Sequence, residues 1–251
     1  ITATLLLKFA ESYAQALQED GMIFDIPAKQ LAQAATIYMV PMVDPDGVDL
    51  VVGVIGEGDG QYEIARALGS NYPDIPFPDG WKANLQGVDL NLQYPAGWLQ
   101  AREIKFSQGV TKPGPRDYVG RSPLSQRESI ALAEYTEAVD PALVLAYHTQ
   151  GEVIYWQYGG IQVEGARELA ERFANLSGYR LEDTPYNSSF AGYKDWFIQT
   201  YRRPGFTIEV GVGENPLPLS QFDEIYRDNL PILLIGALGE ENSLDISPIP
   251  L

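Results

Sequence analysis

His148 is the single histidine in 251 residues, and it closes an apolar run, Ala142-Leu143-Val144-Leu145-Ala146-Tyr147, that reads as a buried strand. The polar segment His148-Thr149-Gln150-Gly151 then falls where open α/β sheets present ligands, beyond the carboxyl ends of strands. A second strand-like run, Gly205-Phe206-Thr207-Ile208-Glu209-Val210-Gly211, carries one carboxylate among apolar neighbours. A buried glutamate without a partner or a task is costly, so two such interruptions point to a site. Each residue also has a structural reading. A lone histidine in apolar surroundings more often satisfies a core, and Glu209 can pair with Arg202 or Arg203.

Elements of alternating type must hold these strands. Leu5, Leu6, Phe9, Tyr13 and Leu17 recur at helical spacing over residues 1–18, and Pro27 opens a second helical run through Ala35. Residues 37–43 read as a strand closed by the turn Asp44-Pro45-Asp46-Gly47. Residues 71–81 and 101–123 read as loops, and 87–91 as a short strand or strand end. Ser125 and Glu128 form a capping box for a following helix. After the His148 strand come a strand at 153–156, a helix at 163–176 ending at Gly178, and a short helix at 192–200. A last helix is expected over 219–238, packing Phe222, Ile225, Tyr226, Leu230 and Leu233 inward. The predicted fold is α/β, with a mixed, largely parallel central sheet and helices on both faces. Residues 1–239 form one domain and 240–251 a tail.

Composition bounds the partners. A net charge of −17 disfavours nucleic acid and anionic membrane surfaces, whose phosphates would be repelled. The absence of cysteine excludes disulfides and thiolate metal sites, and suits an exported bacterial protein as well as a cytoplasmic one. No apolar run is long enough to span a bilayer.

In order along the chain, Asp44-Pro45-Asp46-Gly47, Gly87-Val88-Asp89-Leu90-Asn91, His148 and Thr207-Ile208-Glu209 resemble the zinc carboxypeptidase family over residues 1–238. Each motif is weak alone; the ordered set is specific. Trp81-Lys82-Ala83-Asn84, Asp89-Leu90-Asn91-Leu92-Gln93-Tyr94-Pro95-Ala96 and His148-Thr149-Gln150-Gly151 look most like bacterial γ-D-glutamyl-L-diamino acid endopeptidases, which act on peptidoglycan. The resemblance implies zinc as cofactor, His148 as a metal ligand and Glu209 as catalytic base. In such a site the carboxylate takes a proton from zinc-bound water, of pKa about 7, and passes it to the leaving amine. Family members hold zinc with two histidines and a glutamate, the first two ligands lying in an H-x-x-E segment just before a helix resembling Ile1-Thr2-Ala3-Thr4-Leu5-Leu6. The sequence opens at Ile1 and has no second histidine, so the expectation is an N-terminally truncated domain. The intact protein would then bind zinc and hydrolyse amides; the chain as given would hold no tight zinc and turn over little.

Two departures bear on specificity. Exopeptidases of the family have Asn-Arg where Asn91-Leu92 stands, and leucine cannot clamp a terminal carboxylate. That suits an endopeptidase, although Leu92 also reads as a plain core residue. Gln86 falls where many relatives place an oxyanion-stabilising arginine. By resemblance, Asn91 and Lys194 hold substrate, Lys194 opposite an acidic group, and Tyr186 closes over it. Without the family, Lys194 is a solvated lysine and Tyr186 a loop tyrosine. Two rivals remain: a carboxypeptidase or deacylase on other small acidic amides, and a non-catalytic module that binds cell-wall peptides.

Overall fold

A computed structural model describes residues 1–239; the predicted tail at 240–251 lies outside them. In chain order the elements begin with α1 (Thr2–Gln18), β1 (Met22–Ile23), β2 (Ile26–Pro27), α2 (Ala28–Ala34), α3 (Pro45–Val51), α4 (Gly60–Gly69) and α5 (Trp98–Ser107). There follow α6 (Arg127–Val139), β3 (Val144–His148), β4 (Val153–Tyr155), α7 (Ala166–Ser177), β5 (Arg180–Glu182), α8 (Tyr193–Tyr201), β6 (Gly205–Glu209) and α9 (Phe222–Leu238).

The main sheet has the order β3-β6-β4-β5. β3 runs parallel to β6 and β4 parallel to β5, while β4 and β6 are antiparallel. The expected mixed α/β sheet is therefore present. Alternation along β6 explains its sequence: Phe206, Ile208 and Val210 point into a core shared with α1, α7 and α9, where Leu5, Phe173, Ile225 and Ile232 are fully or almost fully buried. The opposite face carries Thr207 and Glu209. There α8 packs against both β3 and β6, and Lys194 and Ile198 of α8 line the space above Gly205.

Several local expectations give way. Residues 37–43 form no strand; they run as unpaired chain, with Tyr38, Val40, Met42 and Val43 exposed. Their β-forming composition suits an extended backbone, but a strand needs a ladder, and among the described residues none pairs with them. The Asp44 turn is instead the start of α3, whose Asp44 side chain accepts from the Gly47 amide at 3.2 Å. Gly47 is required there, since a Cβ would lie 2.8 Å from the Ala83 carbonyl oxygen. The loop assigned to 101–123 begins inside α5, which Gly97, in the left-handed region, introduces without a capping side chain. Residues 87–91 make no strand either, because Asp89 caps a 3-10 turn at Leu90–Leu92. The capping box fails as well. Ser125 donates its hydroxyl to Gln93 Oε1 at 3.0 Å, and Gln126 takes the N-cap position of α6 without a side-chain capping bond.

Candidate active site

The parallel ladder between β3 and β6 sets His148 directly beside Glu209. Paired residues on adjacent strands share a face and lie about 4.8 Å apart along the hydrogen-bonding direction. The next rung is a bond from the Val210 amide to the His148 carbonyl at 2.9 Å. Both side chains open into a groove of about 1590 Å³, which also takes in Thr207, Tyr155, residues 37–43 and the loop around Lys82. Among the described residues β3 is the edge of the sheet, so one wall of this groove is its outer backbone.

Electrostatics distinguish the two groups. Burial, aided by the nearby Lys82 charge, pushes the His148 imidazole down to about 4, so the ring is neutral at neutral pH. Burial pushes the Glu209 carboxyl up to about 7, with Lys82 pulling the other way. The alternative partners for Glu209 fall away in part, since Arg203 pairs with Asp140 at 2.6 Å. Lys82 is thus the cation that both groups feel. It follows the buried Trp81, and its side chain is exposed into the groove. Sequence reasoning missed it. Gln86, aligned by resemblance with the oxyanion-stabilising arginine of relatives, is not among the groove residues.

Side-chain staples hold the loop that carries Lys82. The amides of Lys82 and Ala83 both donate to the Pro115 carbonyl, at 2.7 and 2.9 Å. Fully buried Asn84 accepts from the Val88 amide and donates to Gln126 and Glu128. Asp89 accepts the amides of Asn91 and Asp117. Gln93, also fully buried, donates to the Val119 carbonyl and accepts the amides of Ser125 and Gln126. The recurrent polar residues of this region are therefore its scaffold.

The other predicted residues divide. Asn91 is exposed on the groove wall. Leu92 is buried with Trp98, Ala101, Val119 and Ala191, which makes it a core residue at the groove's edge. Lys194 is buried: its ammonium donates to the Gln157 carbonyl at 2.8 Å and lies 2.5 Å from Asp195 Oδ1. Lys194 also lines the groove, so the reading of it as a solvated lysine is corrected, and its charge already has internal partners. Tyr186 is 70% exposed and stacks edge-on against Phe190, which lines the groove, while Tyr186 itself does not.

A catalytic zinc takes three protein ligands and a water. Among the described residues, no three His, Cys, Asp or Glu side chains are grouped to hold a metal. His148 offers one donor, so these residues do not by themselves fit the ion.

The zinc carboxypeptidase family model matches residues 1–232. The chain is 43% identical over 236 residues to gamma-D-glutamyl-L-diamino acid endopeptidase 1 of Lysinibacillus sphaericus, covering 94% of this chain and 57% of that protein. It is 39% identical over 234 residues to the uncharacterized protein YqgT of Bacillus subtilis (strain 168), covering 93% and 60% respectively. The chain therefore spans well under two thirds of the length of these curated relatives. Among solved structures, thrombin-activatable fibrinolysis inhibitor superposes with a TM-score of 0.63 at 16% identity, over 94% of this chain and 57% of that one. Carboxypeptidase A of Helicoverpa armigera gives 0.51 at 17%, over 78% and 48%. These two likenesses concern the fold alone. The family match over almost the whole described chain leads to one assignment: the chain belongs to the zinc carboxypeptidase family.

Proposed function

We propose that the full-length protein hydrolyses the amide bond between γ-D-glutamate and a diamino acid in peptidoglycan peptides. The observation that carries this is the in-register pairing of His148 with Glu209 on adjacent strand ends, facing one groove. The endopeptidase relative, at 43% identity, supports the substrate class. In this reading His148 supplies one zinc ligand, and the remaining donors come from outside the residues described. Glu209 takes a proton from the attacking water as the C–O bond forms, then delivers it to the leaving nitrogen as the C–N bond breaks. Lys82 faces the carbonyl oxygen as negative charge develops there. Asn91 orients the peptide along the wall. Leu92 leaves no clamp for a chain-terminal carboxylate, which admits internal bonds. Tyr186, on its exposed turn, covers the bound peptide.

The test is digestion of γ-D-glutamyl-diaminopimelate peptides by the zinc-loaded full-length protein, with products read by mass spectrometry. Peptides with free and with blocked C-termini should both be cut. Cleavage confined to free C-termini would sink the role of Leu92 and favour a carboxypeptidase. The lack of a three-donor group among the described residues favours a second reading, a module that binds such peptides without cutting them. Binding with no turnover would establish that one.

A further inference from the structure

The groove contains a cation that neither the fold nor the proton transfer uses. Arg116 lines it on the loop after α5, one residue beyond Pro115, whose carbonyl holds the amides of Lys82 and Ala83. Its Nε donates to Asp117 Oδ2 at 3.0 Å, while Lys105 takes Asp117 Oδ1 at 2.6 Å. Both carboxylate oxygens are thereby occupied, and the Asp117 amide is tied to Asp89 Oδ2 at 3.0 Å. Burial would raise the Asp117 carboxyl, but Lys105 and Arg116 outweigh it and hold it below the ordinary range.

This arrangement fixes the plane of the guanidinium and leaves its other edge unused. Among the described residues neither Nη atom of Arg116 has a hydrogen-bond partner, and the side chain is 40% exposed. As a staple it adds little: an exposed ion pair contributes about 0–1 kcal/mol, and Lys105 already satisfies Asp117. A chain of net charge −17 repels an anion at long range, so an acidic peptide needs a local cation to be held.

We infer that Arg116 is a specificity-determining residue, whose free Nη edge makes a two-pronged bond to a substrate carboxylate that is not the end of the peptide chain. It would replace from a different loop the clamp that Leu92 cannot form. The inference rests on the substrate reading above. In a γ-linked glutamyl-diaminopimelate peptide, two carboxylates stay free beside the cleaved amide: the α-carboxylate of glutamate and the distal carboxylate of diaminopimelate. Both present the same chemistry to a guanidinium.

Three dipeptides, each with the chain-terminal carboxylate of diaminopimelate blocked as an amide, separate the sources: the otherwise unmodified form, one also amidated on glutamate, and one also amidated on the distal carboxylate. Binding to the full-length protein is measured by calorimetry in a Glu209→Gln background, which removes turnover, with and without Arg116→Gln or Arg116→Lys. One of the two amidations should weaken binding about tenfold or more, the size of a lost charged bidentate bond. Arg116→Gln should shrink that penalty to under about twofold, and Arg116→Lys should leave an intermediate value, since lysine keeps charge but not the fork. A penalty that survives Arg116→Gln, or no penalty from either amidation, overturns the inference. Hydrolysis by the wild type is scored separately. A carboxylate preference lost in Arg116→Gln without cleavage upholds Arg116 and removes the hydrolytic reading, whereas cleavage with an unchanged preference does the reverse. If none of the dipeptides binds, both fall.

Discussion

The two walls of the groove are built on different principles. On the sheet side, His148 and Glu209 are register partners on one rung of the β3–β6 ladder, so backbone hydrogen bonds set their separation. On the loop side, Lys82, Asn91 and Arg116 are positioned by buried side chains, chiefly Asn84, Asp89 and Gln93, that knit residues 81–93 to residues 115–128. A ladder tolerates substitution of its neighbours, because every residue supplies the same backbone groups. A staple depends on one side chain, and its loss leaves several buried partners unsatisfied. In the proposed reading, proton transfer therefore rests on the ladder wall, and charge stabilisation and selectivity rest on the stapled one.

Four substitutions can break or sharpen that contrast. The largest effect is expected from Glu209→Gln in the full-length protein: a loss of about 10³-fold in kcat with stability little changed, read by steady-state kinetics and urea melts. A large drop in stability instead would make Glu209 part of the scaffold. Gln93→Ala should do the opposite. It should cost about 3 kcal/mol in denaturant unfolding, since a fully buried amide with several bonds is removed. If its unfolding midpoint matches the wild type, the loop wall is not held as described. Lys82→Met keeps the length and removes the charge, and should lower kcat about 10²-fold while leaving the unfolding midpoint in place.

The smallest effect concerns Asp44. Burial pushes its carboxyl up to about 7, with Glu128, Asp46 and Asp89 adding to it and the Gly47 amide opposing. The folded chain therefore keeps a proton that the unfolded chain releases from about pH 4 upward, and stability falls as pH rises between about 4 and 7. Asp44→Asn retains an acceptor for Gly47 and should reduce that decline by about 2 kcal/mol, seen by comparing melts at pH 5 and pH 8. An unchanged difference between the two pH values would assign the decline to other carboxyls.

What the sequence showed follows the same division. The His148 and Glu209 strands were legible because a buried strand writes itself as a short apolar run, and a polar residue at its end stands out. α1, α2, α7 and α9 were legible from apolar spacing, and Gly178 marks the end of α7 with the left-handed conformation expected there. The loop wall was not. Lys82 reads as one surface lysine among many until Pro115, more than thirty residues away, fixes its course. Ser125 and Glu128 have the spacing of a cap, but Gln93 and Asn84 compete for them from across the fold. Residues 37–43 show the remaining limit: their side chains suit a strand, and pairing depends on a neighbour that local composition does not encode. Lys194 likewise gave no sign of Asp195 turning back to neutralise it.

The outer side of β3 has one more consequence. Its amides and carbonyls pair with no other strand among the described residues, and they form a short template with no proline or lysine to discourage an incoming chain. Edges of this kind recruit other strands and seed aggregates. When the polypeptide described here is handled alone, its solubility should therefore be governed by these five residues more than by its abundant negative charge.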